Sequence, residues 1–164
     1  MARVGRHEWR WVGAFAAGVL AFSLLPYVLA FAEQSASWRF SGFLVGVEDG
    51  NSYIAKMRAG AEGAWLYRLA YTTEPQNGAL VFLPYLLLGK LAAGPALHAQ
   101  LVALFHLSRL LAGLAMVFAT YRFLAHFVTD ISLRRFGLLL GILGGGLGWV
   151  GLLLRPAMGA SEPL

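Results

Sequence analysis

The residues best able to do chemistry in this sequence are an adjacent acidic pair, Glu48-Asp49, at the head of the stretch Gly50-Asn51-Ser52-Tyr53-Ile54-Ala55-Lys56-Met57-Arg58-Ala59-Gly60. Asn51 or Ser52 can N-cap a short helix on which Tyr53, Ile54 and Met57 share a face, and Gly60 suits its C-terminal stop. The acidic pair then lies at the positive end of that helix. Exposed amides and the helix dipole there favour an ionised carboxylate, as a general base or a metal-binding group requires. A plainer role is also open to the pair, namely capping the helix and nothing more. A divalent cation is the one cofactor Glu48 and Asp49 could hold, but two adjacent acids need not converge, so no metal ligand is assigned.

Further groups follow. The segment Tyr71-Thr72-Thr73-Glu74-Pro75-Gln76-Asn77-Gly78 reads as a polar turn rich in breakers, placed after the aromatic patch Trp65-Leu66-Tyr67. It leads into an apolar stretch, 79–88, expected as a short helix lying in a membrane interface, where it would wall a groove for an amphiphilic ligand. Arg109 stands inside an apolar run, 98–118. A central arginine costs about 2.5–3.5 kcal/mol on insertion scales, so it should face protein or an anionic group such as a lipid-linked phosphate. A salt bridge or backbone carbonyls of a neighbouring helix would serve it as well. His98 and His106 lack the i, i+4 spacing and the acidic neighbour of a metal pair. The glycines at 137, 141, 144, 145, 146, 148 and 151 lack the Lys-Ser/Thr of a phosphate loop, and their small-xxx-small spacing suits close helix packing.

The elements that must position these groups follow from composition. In 164 residues, 59% are apolar and only 13% charged, and the mean hydropathy is +0.65. A soluble domain of that length cannot bury so much hydrocarbon. There is no cysteine, which excludes disulfides and thiolate metal sites. The net charge of +5 does not signal nucleic acid, because the basic residues sit in the gaps between apolar runs and not on one stripe.

Three runs are long enough to cross a bilayer: 11–32, 97–123 and 136–154. Arg3, Arg6 and Arg10 before the first, with Glu33 behind it, place the N-terminus in the cytoplasm. Ala30-Phe31-Ala32 has the form of a signal-peptidase site, but the apolar run exceeds the usual region of about 7–15 residues, which favours an uncleaved anchor. The stretch 79–93 spans only about 22 Å as a helix and holds Pro84, and a crossing there would put Arg122, Arg134 and Arg135 outside. The expected fold is therefore an all-α integral membrane protein of the plasma membrane with about three transmembrane helices. Its first external loop, 33–96, carries short interfacial helices and nearly balanced charge.

An Arg-flanked first span, an external acidic pair ahead of a Tyr-containing helix, a membrane-lying helix and then an Arg-containing second span together resemble the amino-terminal part of the GT-C glycosyltransferases. These are polytopic enzymes that use polyprenyl-phosphate-linked sugars, as protein mannosyltransferases and aminoarabinose transferases do. The resemblance rests on Glu48-Asp49 with Tyr53 and Met57, on Tyr71-Thr72-Thr73-Glu74-Pro75, and on Leu107-Ser108-Arg109-Leu110-Leu111. It implies an acidic general base in the first external loop, matched by Asp49 with Glu48 second, and inversion at the sugar carbon as the lipid phosphate leaves. It also implies substrate contacts at Tyr53, Glu74 and Arg109. The sequence departs from many such enzymes at Glu74-Pro75-Gln76, where they carry a basic or His residue followed by Pro-Pro. Such enzymes continue through a second external loop and further spans, and 155–164 is where that loop would begin. The expectation is thus an amino-terminal portion of a longer enzyme, inactive alone. The competing expectation is a small non-catalytic membrane subunit that associates through Gly141 and Gly145. A transporter fragment ranks below both, since no broken pair of spans and no intramembrane carboxylate is visible.

Overall fold

The computed structural model describes residues 4–69 and 71–144. Among these the chain is all-helical, with one isolated antiparallel bridge between Tyr67 and Ala79. In order the helices are α1 (Arg6–Ala32), α2 (Val47–Ala61), α3 (Leu83–Gly89), α4 (Leu97–Phe127) and α5 (Ile131–Leu143). Helices α1 and α4, of 27 and 31 residues, each hold an 18-residue window of mean hydropathy 2.0 and are long and apolar enough to span a membrane. At 1.5 Å per residue they measure about 40 and 46 Å, against a hydrocarbon core of about 30 Å. Side chains such as Phe22, Val28, Leu111 and Met116 stay exposed along them. Helices this apolar and this little buried are not the core helices of a water-soluble bundle.

Several boundaries differ from expectation for identifiable reasons. Helix α1 begins at Arg6, ahead of the expected 11, because Glu8 in its first turn is buried and fully engaged. Helix α2 begins at Val47, ahead of the acidic pair, and its N-cap is Gly46 in the left-handed region, not Asn51 or Ser52. Its C-terminus passes Gly60 and ends on a Schellman motif, in which Gly63 N donates to Gly60 O and Ala64 N to Ala59 O. Helix α3 replaces the expected 79–88: Pro84 lies in its first turn, where a missing N–H costs nothing, and Ala79 pairs with Tyr67 instead. Helix α4 runs on to Phe127, and α5 starts at Ile131, N-capped by Asp130, whose Oδ1 accepts from Leu133 N at 2.8 Å. The remainder of the expected span 136–154, the glycines from 145 onward and the stretch 155–164 lie outside the described residues.

The chain forms two compact units, one of Met1–Gly18 with Leu114–Leu164 and one of Val19–Gly113. The first is built on Val12, Ala16, Val117, Tyr121 and Leu138. At its polar end Arg134 Nη1 donates to Glu8 Oε2 at 2.9 Å, and Tyr121 Oη donates to the same oxygen at 2.7 Å. Arg134 also donates to the carbonyls of Val128 and Thr129. Gly137 and Gly141 of α5 turn toward Leu124 and Thr120 of α4, so their small faces are used within the chain.

The second unit packs around Phe43, Ile54, Met57, Ala92, Leu101 and Val102. Helices α2 and α3 approach so closely that a Cβ on Gly60 would strike the Leu86 carbonyl, and one on Gly89 the Met57 carbonyl. Met57 and Leu86 are fully buried in this seam, each contributing about 1.5–3 kcal/mol of burial.

Candidate functional site

The acidic pair occupies the first turn of α2, with both carboxylates exposed and, among the described residues, neither in an ion pair. The expectation that they lie at the positive end of a helix therefore holds with a different cap. Asp49 and Tyr53 are one turn apart on α2, so the base candidate and the first ring of an aromatic series share a helix face.

That series crosses four helices of the second unit. Tyr53 stacks on Tyr85 of α3, with ring centroids 4.7 Å apart, and on Phe105 of α4 at 5.9 Å. Phe105 meets Phe43 edge-on at 5.2 Å and His106 at 5.7 Å. His106 in turn lies edge-on to Tyr27 of α1 at 4.8 Å, and the Arg109 guanidinium sits over the Tyr27 ring at 4.5 Å. Each offset or edge contact adds about 0.5–1.5 kcal/mol beyond burial. Tyr53 and Arg109, far apart in sequence, thus belong to one continuous run of ring contacts. Burial and the neighbouring Tyr53 push the Tyr85 phenol above its ordinary range.

His106 Nε2 lies 2.8 Å from the Gly42 carbonyl. A carbonyl only accepts, so that nitrogen carries the proton and a neutral ring leaves Nδ1 as an acceptor. His106 Nδ1, Arg109 Nε and Arg109 Nη2 are buried and have no hydrogen-bond partner among the described residues. Leaving such groups unmatched costs about 1–3 kcal/mol each.

Beside this series a groove of about 650 Å³ runs between the C-terminal half of α1, the loop that follows it and the first turns of α4. Leu24, Val28, Phe31, Val102 and Ala103 give it an apolar wall, while Gln34, Arg39, Ser41 and His98 stand along it as polar groups. Tyr27 and His106 line it as well, which ties it to the ring series. From Leu24 to Gln34 the α1 side is about 15 Å long, half the thickness of a hydrocarbon core. Arg39 is exposed and makes no ion pair among the described residues.

Glu74 lies apart from these groups, in an exposed turn where its backbone N–H donates to Thr72 Oγ1. No hydrogen bond or ion pair joins it to Asp49, Tyr53 or Arg109 among the described residues. Likewise, no three His, Asp or Glu side chains among the described residues gather where a metal could sit.

Two groups of this unit escape sequence reasoning. Lys56, one of the charges that balance the loop, is only 8% exposed. Its Nζ donates to Ser52 Oγ at 2.7 Å and lies over the rings of Tyr53 and Phe82, at 5.0 and 4.5 Å. The i, i+3 and i, i+4 spacing from Tyr53 and Ser52 was the available signal; Phe82, distant in the chain, completes the enclosure. Tyr27, the ring under Arg109, carried no signal, because a tyrosine in an apolar run reads as an interfacial anchor. No protein-family model, no curated protein and no solved structure matches this chain.

Proposed function

We propose that the protein is part of a membrane glycosyltransferase that moves a sugar from a polyprenyl-phosphate-linked donor to an acceptor on the outer face of the plasma membrane. In this reading α1 and α4 cross the bilayer, the run 136–154 that begins in α5 crosses a third time, the N-terminus is cytoplasmic and residues 33–96 are external. The observation that carries it is the presence, within one compact unit, of carboxylates on α2 outside any ion pair among the described residues and of a groove suited to an amphiphile. The groove offers hydrocarbon walls and the unpaired Arg39, and Arg109, with N–H groups that have no partner among the described residues, lies over the Tyr27 ring that lines it. These are the two requirements of a lipid chain that ends in phosphate.

The chemistry then follows. Asp49 accepts the proton of an acceptor hydroxyl, and the acceptor oxygen attacks the anomeric carbon from the face opposite the phosphate. The bond between that carbon and the phosphate oxygen breaks, and polyprenyl phosphate leaves with its negative charge held by arginine. Tyr53 stacks as a platform beside the base, and Glu48 is the alternative base. Glu74, apart from both carboxylates, is a substrate contact only if its turn closes on the bound acceptor.

The test is Asp49→Asn and Glu48→Gln in the full-length protein in membranes, with transfer from a polyprenyl-phosphate sugar measured. Loss of about 100-fold or more in turnover for Asp49→Asn is expected of a general base. Turnover unchanged in both variants would remove the catalytic assignment.

A further inference from the structure

We propose that the first unit holds a headgroup site for an anionic glycerophospholipid, with Arg135 and Trp11 as its inner contacts and Arg10 and Arg122 at its rim. The inference is independent of the transferase reading and concerns other residues.

The contacts of Glu8 bring three helix ends together: the first turn of α1, the last turns of α4 through Tyr121 and the first turn of α5 through Arg134. Arg135 and Arg122 adjoin Arg134 and Tyr121 in sequence, and Arg10 is two residues past Glu8, so all three stand at about the same level along their helices as those contacts. The carboxylates available there are already engaged. Glu8 is taken by Arg134, Tyr121 and the Gly5 amide, and Asp130 by the α5 amide it caps. Among the described residues of this unit none of the remaining arginines makes an ion pair.

Arg135 is the distinctive member. Its guanidinium lies over the Trp11 ring at 5.0 Å, and Trp11 itself stacks on Phe15 at 5.6 Å. Stacking uses the flat face of a guanidinium and leaves its edge N–H groups free, in the fork geometry that matches a phosphate. Arg135 Nε is buried and has no hydrogen-bond partner among the described residues. A phosphodiester oxygen is the acceptor that the site lacks in protein.

Surroundings decide between a lipid and a soluble anion. Phe123, Phe127, Leu133 and Phe136 are exposed at this end of α4 and α5, so the arginines border hydrocarbon-facing surface. Tryptophan with arginine at the margin of apolar helices is the composition of a headgroup layer. A basic cluster there attracts anionic lipid by roughly five-fold per arginine.

The test uses the full chain, purified in neutral detergent and returned to nanodiscs of phosphatidylcholine with or without phosphatidylglycerol. Lipids retained after re-extraction are counted by native mass spectrometry. Phosphatidylglycerol should be retained preferentially. The preference should fall about five-fold in Arg135→Gln and again in Arg122→Gln, and should weaken as salt rises. Arg122 is exposed and outside the packed core, so its variant reports on binding even where Arg135→Gln folds poorly. Equal retention of the two lipids, or a full preference surviving in Arg122→Gln, would overturn the proposal. So would inorganic phosphate alone raising the melting temperature as much as phosphatidylglycerol does.

Discussion

Arg134 and Glu8 form a buried ion pair across 126 positions of sequence, with Nη1 and Oε2 2.9 Å apart and the two side chains 3% and 7% exposed. The pair closes the polar end of the first unit, and both groups have further partners: Gly5 N and Tyr121 Oη on the carboxylate, Val128 O and Thr129 O on the guanidinium. Removing one partner strands the other charge away from water. Glu8→Ala should therefore cost about 3–5 kcal/mol, while Glu8→Leu combined with Arg134→Met should recover most of that loss. Tyr121→Phe, which removes one hydrogen bond and leaves the pair intact, should cost about 1 kcal/mol. Unfolding in micelles followed by circular dichroism would read all three, and a Glu8→Ala protein as stable as the double variant would refute the pairing.

The seam between α2 and α3 makes a second prediction. Gly60 faces the Leu86 carbonyl and Gly89 the Met57 carbonyl, and backbone cannot move aside as a side chain can. Gly60→Ala or Gly89→Ala should destabilise the second unit by about 1–3 kcal/mol and speed proteolysis of the 62–82 loop. Gly18→Ala is the contrast. Its Cβ would meet nothing within 4 Å on α1, so the better helix former should leave stability unchanged or raise it by up to about 1 kcal/mol.

Tyr85 gives a dependence on pH. Its phenol is held protonated by burial and by Tyr53, so its folded pKa is raised. The sign follows: the contribution of the neutral phenol to stability is complete below the unfolded pKa of about 10 and is lost as pH rises through the higher folded value. Titration followed by tyrosine ring NMR should show the Tyr85 signal, assigned by its loss in Tyr85→Phe, moving at higher pH than the ring signal of free N-acetyltyrosinamide. A Tyr85 titration coincident with that small molecule would mean that the burial of Tyr85 against Tyr53 is lost in solution.

Much of the frame could be read from the chain alone. Uninterrupted apolar runs gave α1 and α4, and the breakers around Pro84 gave a short helix, although Pro84 begins α3 and does not interrupt it. The errors share a cause, which is that a distant partner outweighed the local pattern. Asn51 and Ser52 look like caps, but Gly50 packs on the Phe43 ring and lies inside α2, which starts earlier. Glu8 and Arg134 look like solvated charges at helix ends because each is buried only by the other. For the site, an acidic pair at a helix start was legible, since capping and dipole are local effects. The link from Tyr53 to Arg109 was not, because it passes through Phe105, His106 and Tyr27, which only the packing of α1 against α4 within the second unit brings into line.

Filling the groove beside this series separates lipid binding from chemistry. Ala99 and Ala103 are small, exposed and on its α4 wall, one turn apart and away from Asp49 in sequence and helix. A tryptophan at either position would occupy space that a donor chain needs without touching the base or the Tyr53 stack. If the groove takes the lipid of the donor, Ala103→Trp should raise KM for a polyprenyl-phosphate sugar by about ten-fold, the equivalent of about 1.4 kcal/mol, with kcat little changed. Asp49→Asn should do the reverse, lowering kcat with KM nearly constant. A donor analogue with a truncated chain, which makes fewer contacts along Leu24, Val28 and Phe31, should lose most of its sensitivity to Ala103→Trp. Equal KM for wild type and Ala103→Trp with the full-length donor would place the lipid elsewhere.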